Sequence, residues 1–140
     1  MTQPLTKYLC LSSHNTYLAG HQLVGDSDDL MYEEALRLGF RCIELDCWDG
    51  TGGEPMITHG YTLTSKITMK SVLKVIKQSA FKVNPYPVIF SFEMHCSKPQ
   101  QSRIVDLVKE ILGLENVLML PDNLESYKNI DDLPSFASPE

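Results

Sequence analysis

Two acids one residue apart, Glu44 and Asp46, lie in the run Cys42-Ile43-Glu44-Leu45-Asp46-Cys47. Its alternation reads as a strand with Ile43, Leu45 and Cys47 on one face and both carboxylates on the other. If the acidic face turns inward, the carboxylates repel each other and lose hydration, so something positive must compensate them. Taken alone, the pair better fits an edge strand whose polar face meets water. Three further features bear on the choice. Trp48-Asp49-Gly50-Thr51-Gly52-Gly53 looks like a tight turn before a short strand from Pro55 to His59. A hairpin folded about Thr51 and Gly52 would set His59 directly opposite Glu44, and a one-residue slip would change its facing. The run Val88 to Glu93 puts Val88, Phe90 and Phe92 on one face and Ile89, Ser91 and Glu93 on the other, ending a strand in a third carboxylate. Ser12-Ser13-His14-Asn15-Thr16-Tyr17 closes a first strand with a histidine and an amide, although Ser and Asn by themselves also favour an ordinary turn. Together Asn15, Glu44, Asp46 and Glu93 offer oxygen ligands from separate segments, with His14 and His59 beside them. Hard oxygen donors of this kind suit Ca2+.

The elements that must position these groups alternate along the chain. Runs rich in β-branched and aromatic residues predict strands at Tyr8 to Ser12, Arg41 to Cys47, Pro55 to His59, Val88 to Glu93 and Val117 to Leu120. Between them, three segments repeat every three or four residues. The first carries Leu30, Met31, Ala35, Leu36 and Leu38 and stops at Gly39; the second follows a Thr68 cap with Met69, Val72, Leu73, Ile76 and Ala80. The third opens with Ser97 and Gln100 in capping-box spacing, carries Ile104, Leu107, Val108 and Ile111, and stops at Gly113. Such alternation predicts an α/β fold with a mostly parallel sheet and helices outside it. The carboxylates then point toward a barrel interior or a sheet crevice. A complete eight-stranded barrel takes about 250 residues, so 140 residues supply about half of one. A fragment whose partner half lies elsewhere is the expectation.

With 43% apolar and 9% aromatic residues the chain can build a core, which excludes a disordered tail. A formal net charge of −6 argues against general attraction to nucleic acid or anionic lipid, so an anionic substrate must be held by local groups or a metal. No apolar run approaches the roughly 20 residues of a membrane span, and Met1-Thr2-Gln3-Pro4 is not a secretory signal. A soluble, intracellular chain is expected. Its cysteines, Cys10, Cys42, Cys47 and Cys96, should be reduced, since Cys42 and Cys47 face opposite sides of one strand. A zinc site from Cys42, Cys47, His95 and Cys96 would match no common spacing. His95 and Cys96 read as a helix-entry loop, and Lys66, Lys70, Lys74 and Lys77 as a solvated face.

The stretches Ser12-Ser13-His14-Asn15-Thr16-Tyr17, Cys42-Ile43-Glu44-Leu45-Asp46-Cys47-Trp48-Asp49-Gly50, His59-Gly60-Tyr61-Thr62-Leu63-Thr64-Ser65-Lys66 and Pro85-Tyr86-Pro87-Val88-Ile89 to Glu93 fall in order along nearly the whole chain. In them the sequence resembles the X region of eukaryotic phosphoinositide-specific phospholipase C. The resemblance implies the N-terminal half of a distorted TIM-type (β/α) barrel over residues 1–126, with 127–140 a polar linker or truncated end. It also implies calcium-dependent cleavage of phosphatidylinositol 4,5-bisphosphate to diacylglycerol and inositol trisphosphate through a cyclic phosphodiester. The positions matching the family's calcium ligands are Asn15, Glu44, Asp46 and Glu93; those matching its catalytic histidines are His14 and His59. Glu44 would take the inositol hydroxyl proton, His14 would stabilise the phosphorane and His59 would protonate the departing oxygen.

The implied partners are a phosphoinositide lipid at the membrane surface and the Y-region half of the barrel, which carries the groups that grip the ring phosphates. The implied location is cytoplasmic, peripheral to the inner face of membranes. Little activity is expected without the Y half. Met94, His21 and Thr51 depart from the family pattern, and none removes a catalytic group. The competing readings are a glycerophosphodiester phosphodiesterase, with a similar acidic strand and Asp-Gly turn, and a catalytically silent regulatory fragment.

Overall fold

The computed structural model describes residue 3 and residues 5–117. The expected strand from Val117 to Leu120, the boundary at 126 and the tail 127–140 lie, beyond Val117, outside the described residues. In chain order the elements are β1 (Leu18–Ala19), β2 (Asp26–Ser27), α1 (Leu30–Arg37), β3 (Cys42–Trp48), β4 (Met56–Ile57), β5 (Ile67–Thr68), α2 (Met69–Ser79), β6 (Ile89–Met94) and α3 (Lys98–Ile111). Single 3-10 turns lie at Leu5–Lys7, Thr51–Gly53 and Leu114–Asn116.

β3 is the centre of the sheet, whose order is β5-β4-β3-β6. β6 runs parallel to it from the Cys42–Ile89 pair to the Cys47–Met94 pair. On the other flank Ser12 makes a parallel bridge to Cys42, and β4 pairs antiparallel with the far end of β3. The apolar face of β3 carries Ile43, Leu45 and Cys47, all fully buried against Leu36 of α1, Val72, Leu73 and Ile76 of α2 and Leu107 of α3. Residues paired across a parallel ladder share a face, so Glu44 with Ser91 and Asp46 with Glu93 line the side away from the helices. The expected division of the strand into a core face and an acidic face is what the chain adopts.

Several local expectations need correction. The strand from Tyr8 to Ser12 reduces to the single Ser12 bridge. Leu9 and Leu11 are exposed, and among the described residues no second strand flanks that segment. The strand from Pro55 to His59 reduces to Met56–Ile57: Thr58 N still donates to the Asp46 carbonyl at 3.3 Å, but beyond it the chain's polar groups find one another, Thr62 Oγ1 donating to the His59 carbonyl at 2.6 Å and lying 2.9 Å from Thr64 Oγ1. The hairpin register is one residue from the expected one. Cys47 pairs with Ile57 and Trp48 with Met56, so His59 does not oppose Glu44. The reason is the turn itself, a 3-10 turn in which Gly52 (φ 66°) and Gly53 (φ 80°) take left-handed conformations that side chains disfavour.

α2 starts as expected, with Thr68 Oγ1 accepting from Ser71 N at 3.0 Å. α3 does not form the capping box. Ser97 instead donates its N–H and hydroxyl to Asp49 Oδ1 at 3.0 and 3.1 Å, while Gln100 exchanges two hydrogen bonds with the Gly50 backbone. These contacts dock the start of α3 on the turn that follows β3. α1 buries Tyr32, Ala35 and Leu36, whereas Leu30 and Leu38, expected in its apolar stripe, are exposed. Arg41 is buried, its guanidinium donating to the carbonyls of Ala80, Tyr86 and Pro87, which ties the end of α2 to the approach of β6. All four cysteines are free thiols, as expected. Burial pushes the Cys47 thiol up to about 12 and the Cys96 thiol up to about 11. Lys66, Lys70, Lys74 and Lys77 are exposed.

Leu45→Ala should cost about 2–5 kcal/mol in urea denaturation, because it empties a fully buried site between sheet and helices. Thr68→Ala should cost about 1 kcal/mol through the lost cap. A Leu45→Ala variant as stable as wild type would contradict this packing.

Candidate functional site

The segment from Ser13 to Tyr17 is clasped onto the acidic face of β3 by three successive contacts. Asn15 N donates to Glu44 Oε2 at 2.6 Å, Thr16 Oγ1 accepts from Glu44 N at 3.0 Å, and the Tyr17 hydroxyl donates to Asp46 Oδ2 at 2.6 Å. Asn15 turns with φ 48°, a left-handed conformation that Asn tolerates better than most residues. Asn15, Thr16 and Tyr17 are buried, while the His14 side chain stands 74% exposed beside them, its Nε2 3.9 Å from Glu44 Oε2.

β3 and β6 bring the acids together. Glu44, Asp46 and Glu93 each present a carboxylate oxygen within 4.8 Å of the others. Glu44 is half-buried, Asp46 is 3% exposed and Glu93 is exposed. Two carboxylates at that separation repel by roughly 3 kcal/mol at an effective dielectric constant near 20, and exposure of Glu93 reduces its share. The ion pairs of Arg37, Lys82 and Arg103 fall elsewhere, on Glu33, Glu34, Glu54 and Glu110. Burial raises the Asp46 carboxyl above its ordinary value, with Glu93 and Glu44 adding to the shift; the Tyr17 hydrogen bond and His59 oppose it. Burial and the adjacent Asp46 push the Tyr17 hydroxyl far up, so it stays a donor.

A hard cation fits this geometry. Asp46 Oδ1 and Asn15 Nδ2 are buried without a hydrogen-bond partner. Asn15 Oδ1 lies 3.2 Å from the Tyr17 hydroxyl, which has one proton and gives it to Asp46 over the shorter contact. Exchanging the two ends of the amide lets the nitrogen donate to the Tyr17 oxygen and leaves the carbonyl oxygen unpartnered, as Asp46 Oδ1 is. Amide orientation is an assignment made from such networks. Two unpartnered oxygens beside two further carboxylates form a donor set suited to a hard divalent cation.

The six residues expected to do chemistry thus gather about one face. Glu44, Asp46 and Glu93 form its acidic centre, Asn15 joins through Tyr17 and its own backbone N–H, and His14 lies beside Glu44. His59 reaches the site although the register differs: it is half-buried, its Nδ1 has no partner, and it is near enough to Asp46 to favour the ionised carboxylate. Gly60, next in the chain, approaches Trp48 so closely that a Cβ there would enter the indole.

Sequence reasoning missed three contributors. His95, read as part of a helix entry, places Nε2 2.8 Å from Glu93 Oε1 and stacks on Trp48 with ring centroids 4.1 Å apart. His95 stands one residue beyond β6, where its N–H still donates to the Cys47 carbonyl at 2.8 Å and so extends the ladder. The links of Thr16 and Tyr17 to β3 span 28 and 29 residues, and nothing in local spacing marks them.

A family model described as "Phosphatidylinositol-specific phospholipase C, X domain" matches residues 1–138. A 1-phosphatidylinositol 4,5-bisphosphate phosphodiesterase of Dictyostelium discoideum is 48% identical over 132 residues, which is 94% of this chain and 16% of that protein. The human 1-phosphatidylinositol 4,5-bisphosphate phosphodiesterase eta-2 is 54% identical over 113 residues, 81% of this chain and 8% of that one. Among solved structures, the crystal structure of L. pealei PLC21 superposes with a TM-score of 0.78 at 50% identity, covering 81% of this chain and 15% of the other. The chain therefore spans a sixth or less of the length of these relatives. Its sheet and outer helices have the architecture of part of a TIM-type barrel, in keeping with the expected N-terminal half.

Because burial raises the Asp46 carboxyl, the native state holds that proton more tightly than the unfolded chain does, and this contribution to stability falls as pH rises through the raised native value. Asp46→Asn, neutral at every pH, is accordingly expected to raise the unfolding midpoint of the metal-free protein at pH 7. It should also abolish the stabilisation produced by an added divalent cation. Thermal scans with and without chelator check both; a lower metal-free midpoint would contradict the charge argument.

Proposed function

The chain belongs to the X-domain family of phosphatidylinositol-specific phospholipase C, and from that premise we propose that it carries the cation-binding half of a calcium-dependent active site that cleaves phosphatidylinositol 4,5-bisphosphate. The products are diacylglycerol and inositol trisphosphate. The observation that carries this reading is the convergence of Glu44, Asp46 and Glu93 oxygens within 4.8 Å, flanked by two histidines. Asn15, Glu44, Asp46 and Glu93 would hold the ion. Family membership favours a phosphoinositide substrate over a glycerophosphodiester.

Calcium bound there would acidify the inositol hydroxyl next to the phosphodiester and neutralise charge on a phosphate oxygen. The substrate carries its own nucleophile, so no activated serine or cysteine is needed. Glu44, held by the Asn15 N–H, takes the hydroxyl proton; the hydroxyl oxygen bonds to phosphorus and the bond from phosphorus to the glycerol oxygen breaks. Exposed beside Glu44, His14 is placed to meet the negative charge that gathers on the phosphoryl oxygens. His59, half-buried near Asp46, protonates the departing diacylglycerol oxygen. Water then opens the cyclic phosphodiester: His59, left neutral by the first step, takes a proton from the water as its oxygen bonds to phosphorus, the bond from phosphorus to the inositol oxygen breaks, and Glu44 returns its proton to that oxygen.

Since the chain spans only part of its relatives, the groups that grip the ring phosphates are assigned to the Y-region half of the barrel. No helix among the described residues is long and apolar enough to cross a membrane. Work at a membrane surface from the cytoplasmic side follows from the proposed substrate.

The test is release of inositol trisphosphate from vesicles containing phosphatidylinositol 4,5-bisphosphate, by the chain alone and with a relative's Y region supplied. Calcium-dependent release is expected in the second case and little in the first. His59→Ala and His14→Ala should each lower turnover about 10²- to 10⁴-fold while calcium affinity survives. Turnover unaffected by chelator, or retained in both histidine variants, would refute the assignment.

A further inference from the structure

Tyr17 and Tyr32 are both fully buried in the core, yet their hydroxyls do different things. Tyr32 donates to the Glu44 backbone carbonyl at 2.8 Å, which fastens α1 to β3 and leaves the Glu44 side chain untouched. The Tyr17 hydroxyl meets two side chains instead, Asp46 Oδ2 at 2.6 Å and Asn15 Oδ1 at 3.2 Å. A phenylalanine would fill the same volume, and burying the hydroxyl costs free energy unless it is bonded. Its placement between two members of the donor set therefore calls for a reason beyond packing. One proton and one acceptor position serve both neighbours: the proton occupies one Asp46 oxygen, leaving Oδ1 as the unpartnered one, and the acceptor position suits the Asn15 amide nitrogen, which turns its carbonyl oxygen outward.

We propose that Tyr17 is a positioning residue of the metal centre, its hydroxyl presenting Asp46 through Oδ1 alone and orienting Asn15 with its oxygen toward the ion. The inference rests on the reading of this site as a calcium centre and deepens it. Outer hydrogen bonds to ligating carboxylates fix their geometry, and removing one typically costs 10- to 100-fold in metal affinity. A carboxylate released from Tyr17 could rotate or close onto the ion through both oxygens, and the amide would lose the group that distinguishes its two ends.

The experiment is calorimetric titration of calcium into the metal-free 140-residue chain as wild type, Tyr17→Phe and Tyr32→Phe. Each protein's unfolding midpoint is recorded without metal. Tyr17→Phe is expected to weaken calcium binding about 10- to 100-fold. Tyr32→Phe, an equally buried loss of one hydroxyl, should lower the midpoint and leave affinity near the wild-type value. Tyr17→Phe binding calcium as tightly as wild type, or Tyr32→Phe losing as much affinity, overturns the proposal while the metal centre stands. No calcium binding by wild type removes the centre itself and the proposal with it. Should Tyr17→Phe not fold, nuclear magnetic resonance of the wild-type chain decides. Tyr17 ring and hydroxyl resonances should shift along the calcium titration with the calorimetric midpoint, and resonances that stay fixed overturn the proposal.

Discussion

Asp46 is almost wholly buried, lies beside two other carboxylates, and among the described residues has one hydrogen-bond donor to its side chain, the neutral Tyr17 hydroxyl, with His59 nearby. A hydrogen bond to a charged group contributes about 1.5–3 kcal/mol, comparable to the repulsion from one neighbouring carboxylate and less than that from two. The site therefore concentrates negative charge on its three carboxylates. Proteins keep such arrangements where binding or catalysis needs the charge, since an apolar residue would stabilise the fold better. Most of the site's other features serve to hold this charge in place.

β3 connects that constraint to the rest of the molecule. One face buries Ile43, Leu45 and Cys47 under the helices, and the same backbone fixes Glu44 and Asp46 on the other. Precision at the site comes from the core because alternation couples the two faces rigidly. The parallel ladder to β6 then brings in Glu93, and the Ser13–Tyr17 turn brings in His14 and Asn15. On its outer side β6 has no strand partner among the described residues, and Phe92 and Met94 are 40% exposed there. That edge is where a further strand of a TIM-type barrel would pair.

Around this centre the aromatic groups form a second layer. Trp48 stacks on His95, meets the edge of Tyr61, and leaves no room for a side chain at Gly60. His95 in turn bonds Glu93, which steadies the exposed acid of the three. The loop from His59 to Thr64 closes its own hydrogen bonds through threonine hydroxyls, which holds His59 near Asp46 without a continuous strand.

By itself the sequence determined the three helices, the strands β3 and β6, the facing of Glu44 and Asp46, and the identity of the six candidate groups. Each of these follows from periodicity within one segment or from motifs whose residues lie close along the chain. Only the tertiary structure decided the β3–β4 register, the shortness of β4, the docking of Ser97 and Gln100 on the turn after β3, and the roles of Tyr17 and His95. The hairpin register depended on which conformation two glycines adopted. The Ser97 contact depended on a competition between a local cap and Asp49, 48 residues away. Tyr17 stands in the sequence only as the end of a turn-favouring run, and its partner Asp46 comes within 2.6 Å only when that run packs on β3. Local pattern encodes which way a side chain faces along its own element, whereas what it meets there depends on contacts between distant segments that no short-range spacing specifies.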